Sequence, residues 1–317
     1  MLKYLLKRLG FVLPVALGVS IVSFSLVHIA PGDPISALTA GNAPQETVEE
    51  IKRAYGLDKP LPVQYAIWLG KVAHGDLGNS ISNGQPVAPE VIAAVGNTLL
   101  IAITATLVAF SLGAAFGTLA GYWQGTIVDR VATTVGIFGV SVPHYWLGMV
   151  LVILFSAELG WLPALGIGQH GAKLWHWDRG DLAHVILPAA TMAVIPLGII
   201  TRTVRAVVAD ILGHEFVQAL RAKGLGERPV FFHVVKNAAP TALAVMGVQL
   251  GYLLGGSILV ETVFAWPGTG LLMNNAIFQR DIPLLQGTVL VLALFFVFLN
   301  LVVDILQSII DPRIRRT

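Results

Sequence analysis

The sequence predicts an all-α polytopic membrane protein with six transmembrane helices, and three observations predict it. Only 12% of the 317 residues are charged while 55% are hydrophobic, against roughly 25% charged in soluble globular domains. Six charge-free runs reach 20 residues or more: Leu9–Gly32, Val91–Val128, Val131–Ala157, Leu182–Thr201, Asn237–Val260 and Ile282–Val303. A helix rising 1.5 Å per residue needs about 20 apolar residues to cross a hydrocarbon core roughly 30 Å thick. Finally, 13 of the 20 Lys and Arg residues fall in alternate connecting segments once the N-terminus is placed inside, as the positive-inside rule requires. The same composition excludes disorder, a collagen repeat and a disulfide scaffold. A net charge of +2 gives no reason to expect nucleic acid, and the absence of cysteine excludes thiol catalysis and iron–sulfur ligation.

Trimmed by turn signals, the spans fall near 9–29, 97–121, 133–156, 184–203, 241–264 and 286–308. The first follows Lys3, Lys7 and Arg8 as a signal peptide would. Its apolar stretch is about 20 residues, longer than the roughly 7–15 of a signal core. His28-Ile29-Ala30-Pro31-Gly32 offers no small-residue cleavage site, so the segment reads as a retained anchor. The second span carries Gly113, Gly117 and Gly121 on one face, and the fifth carries Gly247, Gly251 and Gly255. Such stripes let helix backbones approach closely where lipid gives no hydrophobic reason to associate. A seventh charge-free run, Thr262–Gln279, contains Trp266-Pro267-Gly268-Thr269-Gly270 and reads as a loop or re-entrant turn. Both termini are then cytoplasmic. Two long segments, about 30–96 and 157–183, lie outside, and one, 204–240, lies inside.

That inside segment is too patterned to be a connector. Val208, Leu212, Phe216 and Leu220 recur every four residues, the stripe of one amphipathic helix. Glu215 stands in its second half, Arg221 and Lys223 occupy its last turn, and Gly224 follows where a left-handed cap belongs. A second short helix is expected over Glu227–Ala238, ending before Pro240. Two short capped helices with basic edges form a surface for another protein to grip, or an interfacial membrane anchor.

Gln218-Ala219-Leu220, three residues, then Gly224 resembles the E-A-A-x-x-x-G signature of ABC importer permeases. Further stretches resemble the dipeptide/oligopeptide/nickel branch: Pro31-Gly32-Asp33-Pro34, Gly56-Leu57-Asp58-Lys59-Pro60 with Gln64-Tyr65, His74-Gly75-Asp76-Leu77-Gly78, Glu261-Thr262-Val263-Phe264-Ala265-Trp266-Pro267-Gly268 and Asp311-Pro312-Arg313-Ile314-Arg315. The likeness is colinear from end to end. The chain departs from the signature with Gln at 218 and Leu at 220, and the usual I-x-L-P tail is out of register. The resemblance implies the type-1 permease fold, with residues 1–93 an N-terminal helix and long periplasmic loop, 94–310 the transmembrane core and 311–317 a cytoplasmic tail. It implies that Glu215, Gln218, Ala219, Leu220, Arg221, Lys223 and Gly224 couple the chain to an ATPase. The implied partners are a second homologous permease chain, two ABC ATPase subunits and a solute-binding protein. The implied cargo is a di- or oligopeptide, or else nickel or another small solute. No G-x-x-x-x-G-K-[ST] occurs, so ATP and Mg belong on the partner subunits and this chain needs no cofactor of its own.

Glu261 and Asp304 fall at span ends, and intramembrane carboxylates are candidates for a gate or path. Glu261 can be solvated or paired with Arg280 or Lys173, and Asp304 can reach water at the inner face. His170, His176 and His184 cluster with Trp175 and Trp177 outside, but spacings of six and eight do not specify a metal. Two other functions are weighed. An intramembrane hydrolase meets Gly139-Val140-Ser141-Val142-Pro143, which lacks the final Gly of a nucleophile turn, and His214-Glu215-Phe216-Val217-Gln218, where Gln replaces the second histidine of a zinc helix. A stand-alone carrier calls for inverted repeats, and no internal repeat is evident.

Overall fold

The computed structural model describes residues 2–29, 58–168, 179–255 and 257–310. Pro31–Pro34, Gly56, Leu57, His170, Lys173, Trp175, His176, Trp177 and Asp311–Arg315 lie outside the described residues, as does the side chain of Asp304. The helices are α1 (Leu2–Ile29), α2 (Leu61–Ala73), α3 (Val87–Tyr122), α4 (Ile127–Ser141), α5 (His144–Leu151), which continues as a π-helix over Val152–Glu158, α6 (Arg179–Leu212), α7 (Glu215–Ala222), α8 (Glu227–Gly255), α9 (Ser257–Val263), α10 (Thr269–Gln279) and α11 (Ile282–Ile310). Among the described residues there is no strand, only an isolated antiparallel bridge between Asn79 and Pro86.

Helices α3, α6, α8 and α11 are each long and apolar enough to cross a membrane, and α4 with α5 makes a fifth if the bent pair is one span. Several differ from the expected spans. With 36 residues α3 is about 54 Å long, far beyond a hydrocarbon core of roughly 30 Å, so it extends past the lipid. The third span is not straight: α4 and the 144–158 helix meet at 103°. Pro143 causes the break, because its ring forces the preceding residue out of helical geometry, and Val142 is extended at φ −90°, ψ 129°. The expected stop at Pro240 does not occur, and α8 runs through it. A proline costs a helix one donor, which surrounding groups within a membrane protein can offset. The 262–279 run is not all loop, since it holds α10, whose 11 residues are too few to span.

The chain forms two compact units, Met1–Asn97 with Pro267–Leu299 and Thr98–Trp266 with Asn300–Thr317. In the first, Val87, Val91, Ala276 and Leu284 make a buried core with Leu77 and Leu272 against it. Its polar anchor is Asp281, fully buried. This carboxylate accepts from Ser80 Oγ at 2.5 Å, Ser82 N at 3.1 Å and Ser82 Oγ at 2.9 Å, and caps α11 through Leu284 N at 3.1 Å. Asp-x-Pro at a helix start is a capping pattern that the reading of the sequence passed over. Elsewhere in the unit, α1 meets α2 through Ser20 Oγ and Tyr65 OH at 2.7 Å, with Phe24 edge-on to Tyr65.

The second unit is built on α6, which packs against α4, α5 and α8. Glycines decide its closest approaches. A Cβ at Gly113 would sit 2.9 Å from Ile200 Cγ2, one at Gly117 2.7 Å from Thr201 O, and one at Gly121 2.7 Å from Arg205 O. Three successive turns of α3 therefore lie directly on α6. Gly136, Gly139 and Gly198 do the same between α4 and α6: a Cβ at Gly139 would be 2.8 Å from Val194 O, and one at Gly198 would overlap Gly136 O. These three were missed, although Gly136-x-x-Gly139 is a small-residue step. Gly247 and Gly251 on α8 are half-buried, and Gly255 ends that helix.

Two outcomes follow. Gly117→Leu should destabilise the helix pair by about 1–3 kcal/mol, because the obstructing atom is a backbone oxygen that cannot rotate away; thermal unfolding in detergent reads this. Burial pushes the Asp281 carboxyl up, but the hydrogen bonds from Ser80, Ser82, Leu284 and Ile81 outweigh it and hold the group below its ordinary value. Its contribution is thus fully present above the unfolded carboxylate range of about 4 and is lost as pH falls through the folded value. Asp281→Asn should lose about 1–3 kcal/mol at pH 7 and flatten this acid-dependent part of the unfolding profile.

Candidate functional site

The 204–240 segment folds as a helix end, a short helix and a helix start. The expected single stripe is broken: α6 stops at Leu212, Gly213 and His214 turn the chain, and α7 begins at Glu215. This slips the register by one residue. Val217 is fully buried, joining Val208, Ile211, Val230 and Val234, whereas Phe216 is 37% exposed. A four-residue repeat written across a helix break cannot see that slip.

Helix α7 ends in a Schellman cap. Gly224 adopts φ +82°, Gly224 N donates to Arg221 O at 2.9 Å, and Leu225 N donates to Leu220 O at 3.2 Å. Leu220 and Leu225 both pack against the Val217 cluster, supplying the apolar contact that accompanies this motif. A side chain at φ near +80° costs roughly 1–2 kcal/mol, so glycine is required here. The result is one short helix, held from below by Val217, that leaves Glu215, Gln218, Ala219, Arg221, Lys223 and Gly224 exposed and Leu220 half-buried. The expected second short helix is instead the first turns of α8.

Charged groups tie this segment to its neighbours. Arg221 binds Glu227 in a fork, Nε to Oε1 at 3.0 Å and a terminal nitrogen to Oε2 at 3.2 Å. Tyr122 OH, at the end of α3, donates to the same Oε2, and its ring stands edge-on to Phe231 at 5.2 Å. His214 Nε2 lies 3.4 Å from Asp210. Nearby, buried Asp129 at the start of α4 accepts from Arg205 Nε at 2.5 Å, from a second Arg205 nitrogen at 2.8 Å, and from Gly125 N at 2.9 Å. The sequence reading used neither Tyr122 nor Asp129, because nothing local marks their partners 105 and 76 residues away.

The remaining candidates stand elsewhere. Glu261, on α9, is fully buried rather than solvated, and accepts from Thr98 Oγ1 at 2.8 Å. Ser141 Oγ is bonded back to Ile137 O at 2.8 Å, on the helix rather than on a catalytic turn. His184 is half-buried on α6.

Residues 113–316 match the family described as binding-protein-dependent transport system inner membrane component, and residues 1–102 match the N-terminal region of such membrane components. The dipeptide transport system permease protein DppB of Alkalihalophilus pseudofirmus is 35% identical, covering 99% of this chain and 100% of that one. The glutathione transport system permease protein GsiC of Escherichia coli K12 is 37% identical over 99% of both. An inward-facing structure of the MetNI methionine ABC transporter has a similar fold, with a TM-score of 0.55 at 19% identity over 70% of this chain and 96% of that chain. This chain belongs to the binding-protein-dependent transport system inner membrane component family. Membership makes it a multi-pass inner-membrane permease subunit, a transport component rather than an enzyme, whose partners include an ATPase and a solute-binding protein.

Asp129→Ala should cost about 3 kcal/mol, the low end for breaking a buried pair because the Arg205 side chain is 34% exposed. Unfolding of the purified protein should show this, with Asp129→Asn losing less than Asp129→Ala.

Proposed function

We propose that this chain carries short peptides across the inner membrane in an ATP-driven, binding-protein-dependent importer, with α7 as the element an ATPase grips. The observation that carries the reading is the shape of α7: a capped helix seated on Val217, with a polar outer face left open. The names of the dipeptide and glutathione relatives support a peptide cargo. In this reading α1 is the sixth span, both termini are cytoplasmic, and the 30–96 segment meets the binding protein. A second permease chain completes the path, two ATPase subunits bring ATP and Mg, and their closure tilts α7 to alternate access. Glu261 and Asp304 remain candidates for the gate or path, Glu261 through the buried bond to Thr98.

Co-purification tests the reading. The chain should bring down an ATPase, and uptake of a dipeptide into vesicles should require ATP and the binding protein. Gly224→Trp should lower solute-stimulated ATP hydrolysis at least about tenfold while the protein stays in the membrane, since both the cap and the open face are lost. Uptake driven by a proton gradient with this chain alone would overturn the importer reading.

A further inference from the structure

One carboxylate joins three elements of the second unit. Glu227, the first residue of α8, takes the Arg221 fork from α7 and the Tyr122 hydroxyl from α3. Tyr122 OH also reaches Glu227 O at 3.3 Å, and Phe231, one turn along α8, receives the Tyr122 ring. The chain itself already connects α7 to α6 and α8, so neither needs a further link to follow it. Helix α3 is different: 92 residues of sequence separate Tyr122 from Glu215, and the Tyr122 hydroxyl ties α3 to this segment at Glu227.

Stability does not explain the arrangement. The Arg221 and Glu227 side chains are 45% and 63% exposed, and exposed ion pairs contribute only about 0–1 kcal/mol. Registration does explain it, because a forked pair plus a third donor fixes relative orientation where a single contact does not. Further along, Gly113, Gly117 and Gly121 seat α3 on the backbone of α6, so α3 cannot shift alone. We propose that Glu227 is a positioning residue that passes displacement of α7 to α3, so that α3 and α6 respond as one block. This rests on the importer reading above. It extends that reading by naming which helix receives the push and through which side chain.

The test is stoichiometry in the reconstituted complex: dipeptide imported per ATP hydrolysed, beside the amount of ATPase retained. Glu227→Gln and Tyr122→Phe each remove a bond with little change of volume. Each should cut peptide per ATP roughly three- to tenfold with the ATPase still bound. The double variant should be little worse than either single one, because both break the same link. An unchanged ratio in both single variants, or additive losses, would overturn the relay. Loss of the ATPase from those variants would also overturn it, by making these residues part of the docking face. A wild-type complex that recruits no ATPase would instead sink the importer reading beneath it.

Discussion

The second unit depends on backbone-to-backbone contact between α3 and α6. Leaving lipid gains an apolar side chain little, so helices in a bilayer associate through close packing and polar bonds rather than hydrophobic burial. Three glycines a turn apart bring α3 within van der Waals reach of carbonyls on α6, and Gly136, Gly139 and Gly198 repeat the device between α4 and α6. With α6 held on two sides by other backbones, its end at Leu212 is a fixed platform. The α7 segment can be short and open because it is built on that platform.

The α7 segment combines firm anchoring with exposure. Its apolar contact is concentrated in Val217, with Leu220 beside it, and its termination in Gly224, while Gln218, Ala219, Arg221 and Lys223 are exposed. The helix is not held by a broad apolar face, so most of its surface stays polar and open. One deep valine, the adjoining Leu220 and Leu225 contact and a backbone cap hold it while leaving that surface free. The Arg221–Glu227 pair beside it is exposed, which suits orientation more than strength.

Much of this was legible in the sequence because membrane segments and caps are local properties. Charge-free runs located the long helices, G-x-x-x-G steps marked the α3 face, and basic residues followed by Gly224 marked the end of α7. What escaped had nonlocal causes. The 103° corner comes from Pro143 inside a run whose hydropathy looks continuous. The burial of Val217 in place of Phe216 depends on a break at Gly213 that resets the helical phase. Asp129, Asp281 and Glu227 find partners 76, 201 and 105 positions away, and no spacing rule reports those.

The corner at Val142–Pro143 carries a consequence for the lipid annulus. Each arm, 127–141 and 144–158, has 15 residues, about 22 Å of α-helical rise, so neither arm is a full bilayer's depth. The carbonyls at the end of α4 have lost the donors a continuing helix would give them, and alkyl tails offer none. Acyl chains cannot wet that elbow. At hydrocarbon depth only protein or water could face such an elbow, so the lipid annulus has to break there.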